Sequence, residues 1–317
     1  MITDHRLLCT IPLEPATGSV FQPTGFPDVG AAEFTRPVRD GDGTRPQKCL
    51  LVESAQSMAN HLESVGWDDA SSEPVPELAG LPWVRVLAPD DRRYLTSSRV
   101  EAHRLAAAFV KDGVLDGVPM RDVIRERFGL RDDTPLDHRR IAREIFALDP
   151  LCLIHGVFFA ESAKVWPGQP KVARALTALI EARDVEPVIS GGVKRDVVRH
   201  SIAEGAGGAK EGYGSIPFHR TEYTAAEISL HVSLDRSQLR AYGLGEDAAG
   251  LLEAIALWEV RTLLDRGLRL RTACDLVPTA EPELPAADEL AGRVRDGVDA
   301  CADRLGPGGP IEVVWKG

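Results

Sequence analysis

The chain has 317 residues, of which 44% are hydrophobic and 27% charged, with a formal net charge of −11; this is an ordinary globular composition with ample material for a core. No apolar run approaches the ~20 residues of a membrane span and the start, MITDHRLLCT, lacks the basic-then-apolar pattern of a secretory leader, so a cytoplasmic protein without membrane partners is expected. The acidic balance counts against nonspecific nucleic-acid binding by the whole surface, because neutralising phosphates takes Lys and Arg.

Net charge is not a map, however. From Pro187 to Arg220 five Lys/Arg stand against three acids, and Arg261, Arg266, Arg269 and Arg271 face only Asp265 nearby, so local basic faces on an acidic body are expected. The five cysteines (Cys9, Cys49, Cys152, Cys274, Cys301) are scattered, with no CxxC and no His at ligand spacing. That pattern argues against zinc, and no metal or cofactor is expected; small core residues in a reducing compartment are.

In chain order, His5–Leu13 reads as a first strand, followed by the loop TGSVFQPTGFPDVGAAEF. Gly18, Gly25 and Gly30 allow close backbone approach there, and Phe21 and Phe26 either anchor the loop or stack on a base. Residues 36–47 are polar and turn-like. In KCLLVESAQSMANHLE (48–63), Cys49–Val52 reads as a buried strand and Ser54 as a helix cap, with Met58, Leu62 and Val65 at helical spacing. A strand feeding a helix start leaves free N–H groups that can hold an anion, and Ser54, Gln56, Ser57 and Asn60 add neutral hydrogen-bonding groups. Phosphate or sugar suits such a junction, although many capped junctions hold nothing.

Residues 66–80 are acidic and Pro/Ser-rich, an expected exposed insertion, and Trp83–Leu87 a short strand. Ser98-Arg-Val-Glu101 fits a capping box opening a helix to about Val110, Pro119 suits the start of Met120–Phe128, and Thr134-Pro-Leu-Asp137 opens another to about Leu148. Residues 66–150 thus read as a mostly helical insertion. Leu151–Ala160 is expected as a buried strand, with His155 a hydrogen-bonded core histidine rather than a catalytic one. Lys171–Val185 fits helix and strand equally.

Ile189–Tyr223 holds seven glycines beside Lys194, Arg195, Lys210 and Arg220. It suggests a flexible loop or hairpin meeting a polyanion, with Tyr213 available for stacking; a plain exposed loop is the alternative. GAGGAK is not a phosphate loop, since Glu211 follows Lys210 where Ser or Thr is required. Thr224–Leu234 reads as a strand and Glu246–Arg266 as the clearest helix, ended by Gly267. Leu268–Leu276 reads as a strand with Arg269 and Arg271 on one face. After a Pro-rich spacer, 277–317 closes with a helix (about Ala287–Leu305) and a strand (Ile311–Trp315).

The segments QPTGFPDVGAA (22–32), LLVESAQSMANHLE (50–63), ISGGVKRD (189–196), GYGSIPFHRTEY (212–223) and GLRLRTACDL (267–276) together resemble the backbone RAMP subunit, Cas-seven-like, of type I-G (formerly I-U) CRISPR Cascade surveillance complexes. The resemblance implies an α+β fold: a modified RRM/ferredoxin-like RAMP palm in a single elaborated domain, with an inserted helical subdomain at 66–150 and a thumb or finger loop at 189–223. It implies a non-catalytic subunit that binds CRISPR RNA, polymerises head to tail along the guide with other Cascade subunits, and presents the guide to target DNA. Base pairing then reads sequence while protein holds backbone and shape. Carried onto this chain, Ser54, Gln56, Ser57 and Asn60 would contact RNA at the helix start, with Gln22, Thr24 and Gly25 approaching closely. Ser190, Gly191, Gly192, Lys194 and Arg195 would line the same groove. Lys210, Tyr213 and Arg220 would belong to the thumb, and Arg269 and Arg271 would add phosphate contacts. The chain departs from the family pattern at Val20 and His61, where a basic residue is frequent.

The rival is a RAMP-type endoribonuclease using His200, His219, Lys210 or Tyr213 as acid and base, but no spacing singles out a pair. A small-molecule enzyme would need a GxSxG, HExxH or dinucleotide fingerprint, and none is present.

Overall fold

Leu7, Ile11 and Leu13 are buried at alternate positions of β1 (Arg6–Pro15), the period of a sheet with one face on a core. In the computed structural model, which describes residues 4–26, 28–195 and 216–316, β1 is followed by β2 (Glu33–Asp40), β3 (Gly43–Glu53) and helix α1 (Ala55–Ser64). Next come β4 (Trp83–Leu87), β5 (Tyr94–Ser97), β6 (Gly113–Leu115), β7 (Val118–Pro119), α2 (Met120–Phe128) and α3 (His138–Leu148). The rest runs β8 (Leu176–Arg183), β9 (Glu186–Lys194), β10 (Ile216–Thr224), β11 (Glu227–Asp235), α4 (Glu246–Arg266), β12 (Leu268–Arg271), β13 (Cys274–Pro278), α5 (Ala287–Ala300) and β14 (Pro310–Trp315). The fold is α+β.

The main sheet has seven strands in the order β12-β13-β1-β11-β8-β3-β2, with every neighbouring pair antiparallel. Its register aligns Ile11, Leu230 and Ile180 across three strands. These three share one apolar core with Met58 and Leu62 of α1 and Ile255 of α4. α4 is buried around most of its circumference, including Trp258 and Glu259, because α1 and α5 pack against it. A second sheet, β7-β6-β14-β4-β5, joins the middle of the chain to its last strand, with β14 parallel to β4. The β9–β10 hairpin stands outside both sheets, linked at its base by a bridge from Tyr223 to Phe21.

Several expectations change here. Residues 66–150 contribute four strands of the second sheet as well as helices and take the sheet's central strand from the carboxyl-terminal segment, so this stretch is neither mostly helical nor self-contained. Residues 66–80, expected as an exposed insertion, are exposed at 68–71 but anchored on either side: Trp67–Asp68 pairs with Glu73–Pro74, Leu78 is buried, and the Trp67 ring stands edge-on to Trp83 at 5.4 Å. The capping box at Ser98 does not form. The Ser98 hydroxyl instead donates to buried Asp149 at 2.5 Å and accepts from the Val84 N–H at 3.0 Å, while Glu101 accepts from Thr96. A 3₁₀ turn, Arg104–Ala106, and a single turn of α-helix, Ala108–Lys111, follow instead.

Leu151–His155 is a short buried helix, not a strand: the Asp149 carboxylate accepts the Leu151 N–H, and Gly156, at φ 82°, ends the turn. An apolar run alone does not separate a buried strand from a buried helix. Within it, His155 is a hydrogen-bonded core residue, as expected. Lys171–Val185 contains two strands and no helix: Lys171–Val172, paired with Val157–Phe158, and β8, with Leu176, Ala178, Ile180 and Ala182 buried in strict alternation. Leu268–Leu276 divides into the β12–β13 hairpin, turning at Thr272–Ala273. All five cysteines are free, four of them buried. Among the described residues no helix is long and apolar enough to cross a membrane.

Candidate nucleic-acid interface

Cys49, Leu50 and Val52 bury the end of β3, and the chain then leaves the sheet at Ser54 in an extended conformation. The Ser54 Oγ accepts the Ser57 N–H at 3.3 Å and so caps α1. Met58, Ala59 and Leu62 hold the inner face of the helix. Gln56 and Asn60, one turn apart, are both exposed.

The loop at residues 21–25 is tied to three neighbours. Phe21 and Tyr223 exchange both backbone hydrogen bonds, at 2.9 and 2.8 Å; the Gln22 N–H donates to Ala273 O at 2.7 Å and the Thr24 N–H to Val52 O at 2.8 Å. Phe21 is 1% exposed and therefore anchors the loop, rather than offering a ring to a base; the Phe26 side chain lies outside the described residues. A side chain at Gly25 would place its Cβ 2.8 Å from Gly30 O, so the close pairing of Gly25 with Ala31 requires glycine.

Arg271 turns inward, donating Nη1 to Gln22 O at 2.8 Å and ion-pairing through Nη2 with the Glu53 carboxylate. Arg269 faces solvent instead, because a bulge between the two arginines breaks the alternation that would put both on one face. The structure thus brings together residues 22–25, the start of α1 and Arg271, and leaves Arg269 apart.

On the β9–β10 hairpin, Ser190 lies opposite Arg220, Gly191 opposite His219, Gly192 opposite Phe218 and Lys194 opposite Ile216. Ser190, Gly192, Lys194, Ile216, Phe218 and Arg220 therefore share one face. The Phe218 ring lies over Gly192, where a Cβ would come within 3.1 Å. The Arg220 guanidinium stands 5.5 Å from the centre of that ring and 2.9 Å from buried Glu222. Lys194 and Arg195 are exposed. Ile189, 85% exposed, and Val193, 57% exposed, project from the opposite face. Lys210 and Tyr213, with His200, lie outside the described residues.

At its base the hairpin is fixed by Tyr223. Its hydroxyl donates to Glu33, and burial together with that carboxylate pushes its pKa up to about 12. The bonds between Tyr223 and Phe21 connect the hairpin base to the 21–25 loop, and through that loop to α1. Burial also lowers the pKa of His61 near the far end of α1.

The sequence reading missed two features. Residues 36–47, read as polar turn, belong to the β2–β3 hairpin, which carries Arg36, Arg39, Arg45 and Lys48. The signal was the Gly41-Asp42 step, the two-residue loop between two alternating runs. Most of these cations are engaged: Lys48 lies 2.8 Å from Glu186, Arg45 3.9 Å from Asp184, and Arg36 donates to Gln47 at 2.8 Å. Phe218 was the other omission, an exposed aromatic between His219 and the glycine-rich stretch. Among the described residues no group of three or more His, Cys, Asp or Glu is placed to hold a metal ion.

A family model described as CRISPR-associated protein GSU0053 matches residues 7–187. No curated protein matches the chain. Among solved structures, a chain from a complex titled "CRISPR RNA-guided surveillance complex, pre-nicking" is 14% identical, with 95% of this chain and 87% of that chain covered at a TM-score of 0.36. The family match spans more than half of the sequence and includes β1, the 21–25 loop, α1 and the first residues of the hairpin: the chain belongs to the CRISPR-associated GSU0053 family.

Proposed function

We propose that this protein is a non-catalytic RNA-binding backbone subunit of a type I-G CRISPR surveillance complex. Copies polymerise head to tail along the spacer part of a CRISPR RNA, beside the other Cascade subunits, and present the guide for pairing with target DNA. The observation that carries this reading is the order of four strands. β1, α1, β8, β11, α4 and β13 follow one another as a βαββαβ unit, with the strands side by side as β13-β1-β11-β8 and antiparallel throughout. That is the order of an RRM/ferredoxin-like palm, and the β9–β10 hairpin leaves it between the second and third strands, where a thumb would. Membership of a CRISPR-associated family supports the same reading.

A linear RNA requires a heterologous, open-ended contact between copies, since a closed symmetric contact cannot follow it. The test is purification with the neighbouring operon products, extraction of bound nucleic acid and sizing on a denaturing gel. A discrete RNA with repeat-derived ends, protected by several copies of this chain, is expected. Nucleic-acid-free protein would overturn the reading. RNA processing that disappears in His200→Ala with His219→Ala would replace it with an endoribonuclease.

A further inference from the structure

We propose that Glu53 and Arg271 are positioning residues that lock the RNA-facing segments together, and that Arg271 is not itself a phosphate ligand. This rests on the RNA-binding reading above. Glu53 is fully buried at the end of β3, directly before the cap of α1. A buried carboxylate under a junction that receives phosphate would repel its ligand and be costly to bury unless paired. One oxygen accepts the Ser54 N–H at 3.2 Å and the other meets Arg271 Nη2.

The Arg271 side chain, 24% exposed, also donates Nη1 to Gln22 O at 2.8 Å and lies 3.5 Å from Val52 O, the same carbonyl that accepts the Thr24 N–H. One guanidinium thus joins residue 22, residues 52–53 and the β12–β13 turn, which are distant in sequence. Its planar fork matches that task, and an ammonium could not make the same set of bonds. The pair is neutral as a unit, so it organises the surface without adding to the charge that phosphates meet.

The test is binding of a single-stranded RNA oligonucleotide to the full chain at several salt concentrations, for wild type and Glu53→Gln/Arg271→Met. The double variant removes both charges together and strands no buried ion. Affinity is expected to fall about tenfold, the lower end of the loss seen when partners that orient metal ligands are removed. The slope of log affinity against log salt should not change, and the Thr24 amide should exchange its hydrogen faster. A slope shallower by about one would identify a phosphate contact and overturn the proposal. Glu53→Gln alone discriminates by sign: losing the lock weakens binding, whereas releasing a phosphate ligand would tighten it and overturn the proposal. Unchanged affinity with an unchanged slope would overturn it as well. Should the double variant fail to fold, Arg271→Lys decides, because a point charge keeps a phosphate contact but loses the fork; near-wild-type affinity there would refute the lock. Wild-type protein that binds no RNA would refute the RNA reading itself, a result separate from any difference between variants.

Discussion

Nε2 of His155 lies 2.8 Å from Oε2 of Glu259, and neither side chain reaches solvent. The pair joins the short helix Leu151–His155 to the middle of α4, with the ion-paired Glu63 and Arg104 close enough to act on it electrostatically. Burial alone would lower the pKa of His155, but the Glu259 and Glu63 carboxylates outweigh it, and the value is raised above 6.5. Burial likewise raises Glu259, against the pull of His155.

Both shifts have the same sign for stability: the folded protein holds protons more tightly than the unfolded chain. The histidine's contribution is complete below its unfolded value of about 6.5 and is lost as pH rises through the folded value. The thermal midpoint is therefore expected to decline as pH rises above about 6.5, and His155→Gln to flatten that decline. An unchanged slope in the variant would show that other groups govern this range.

Ser98→Ala removes a hydroxyl that serves both Asp149 and the Val84 N–H. Asp149 is fully buried, its pKa raised by burial against the pull of Arg99, which lies 3.3 Å away. Losing one of its hydrogen bonds should cost about 1–3 kcal/mol, read as a lower denaturation midpoint in urea at unchanged m-value.

Ser54→Ala deletes the cap of α1 while leaving Glu53 and Arg271 in place. The expected loss is about 1 kcal/mol of stability, and Ser54→Gly should cost only a few tenths. Urea denaturation of the two variants side by side checks this, and equal losses would show that the hydroxyl serves something other than the helix start.

Lys194 is exposed beside the Phe218 face of the hairpin and has no ion-pair partner among the described residues. Under the RNA-binding reading, Lys194→Ala should weaken binding across all RNA sequences and reduce the salt slope by about one. Stability should stay within about 0.5 kcal/mol of wild type, as for an exposed position away from any structural feature.

Elements defined by local chemistry were readable in the sequence: α1 with its Ser54 cap, α4 ending at Gly267, and the terminal strand; α3 was found too, but it starts at His138 with Asp137 as its cap rather than at Thr134. Each carries its own start, stop and apolar period. What stayed hidden depended on partners far along the chain. Ser98 looked like a helix cap until Asp149 took its hydroxyl, and Leu151–His155 looked like a strand because a run buried on all sides has no period to read. At the candidate interface, the polar helix start and the glycine-rich strand were visible as residue types. The inward turn of Arg271 could not, because it depends on a bulge and on a carboxylate 218 positions away.

The parallel pairing of Pro310–Trp315 with Trp83–Leu87 has a consequence for biosynthesis. On the ribosome, the middle sheet must wait for roughly two hundred further residues before its central strand arrives, leaving the edges of Trp83–Leu87 and Gly113–Leu115 unsatisfied meanwhile. The nascent protein is therefore exposed to aggregation until that strand is made. Deletion of Pro310–Trp315 should therefore reduce soluble yield, because β4 and β6 lose the strand that joins them.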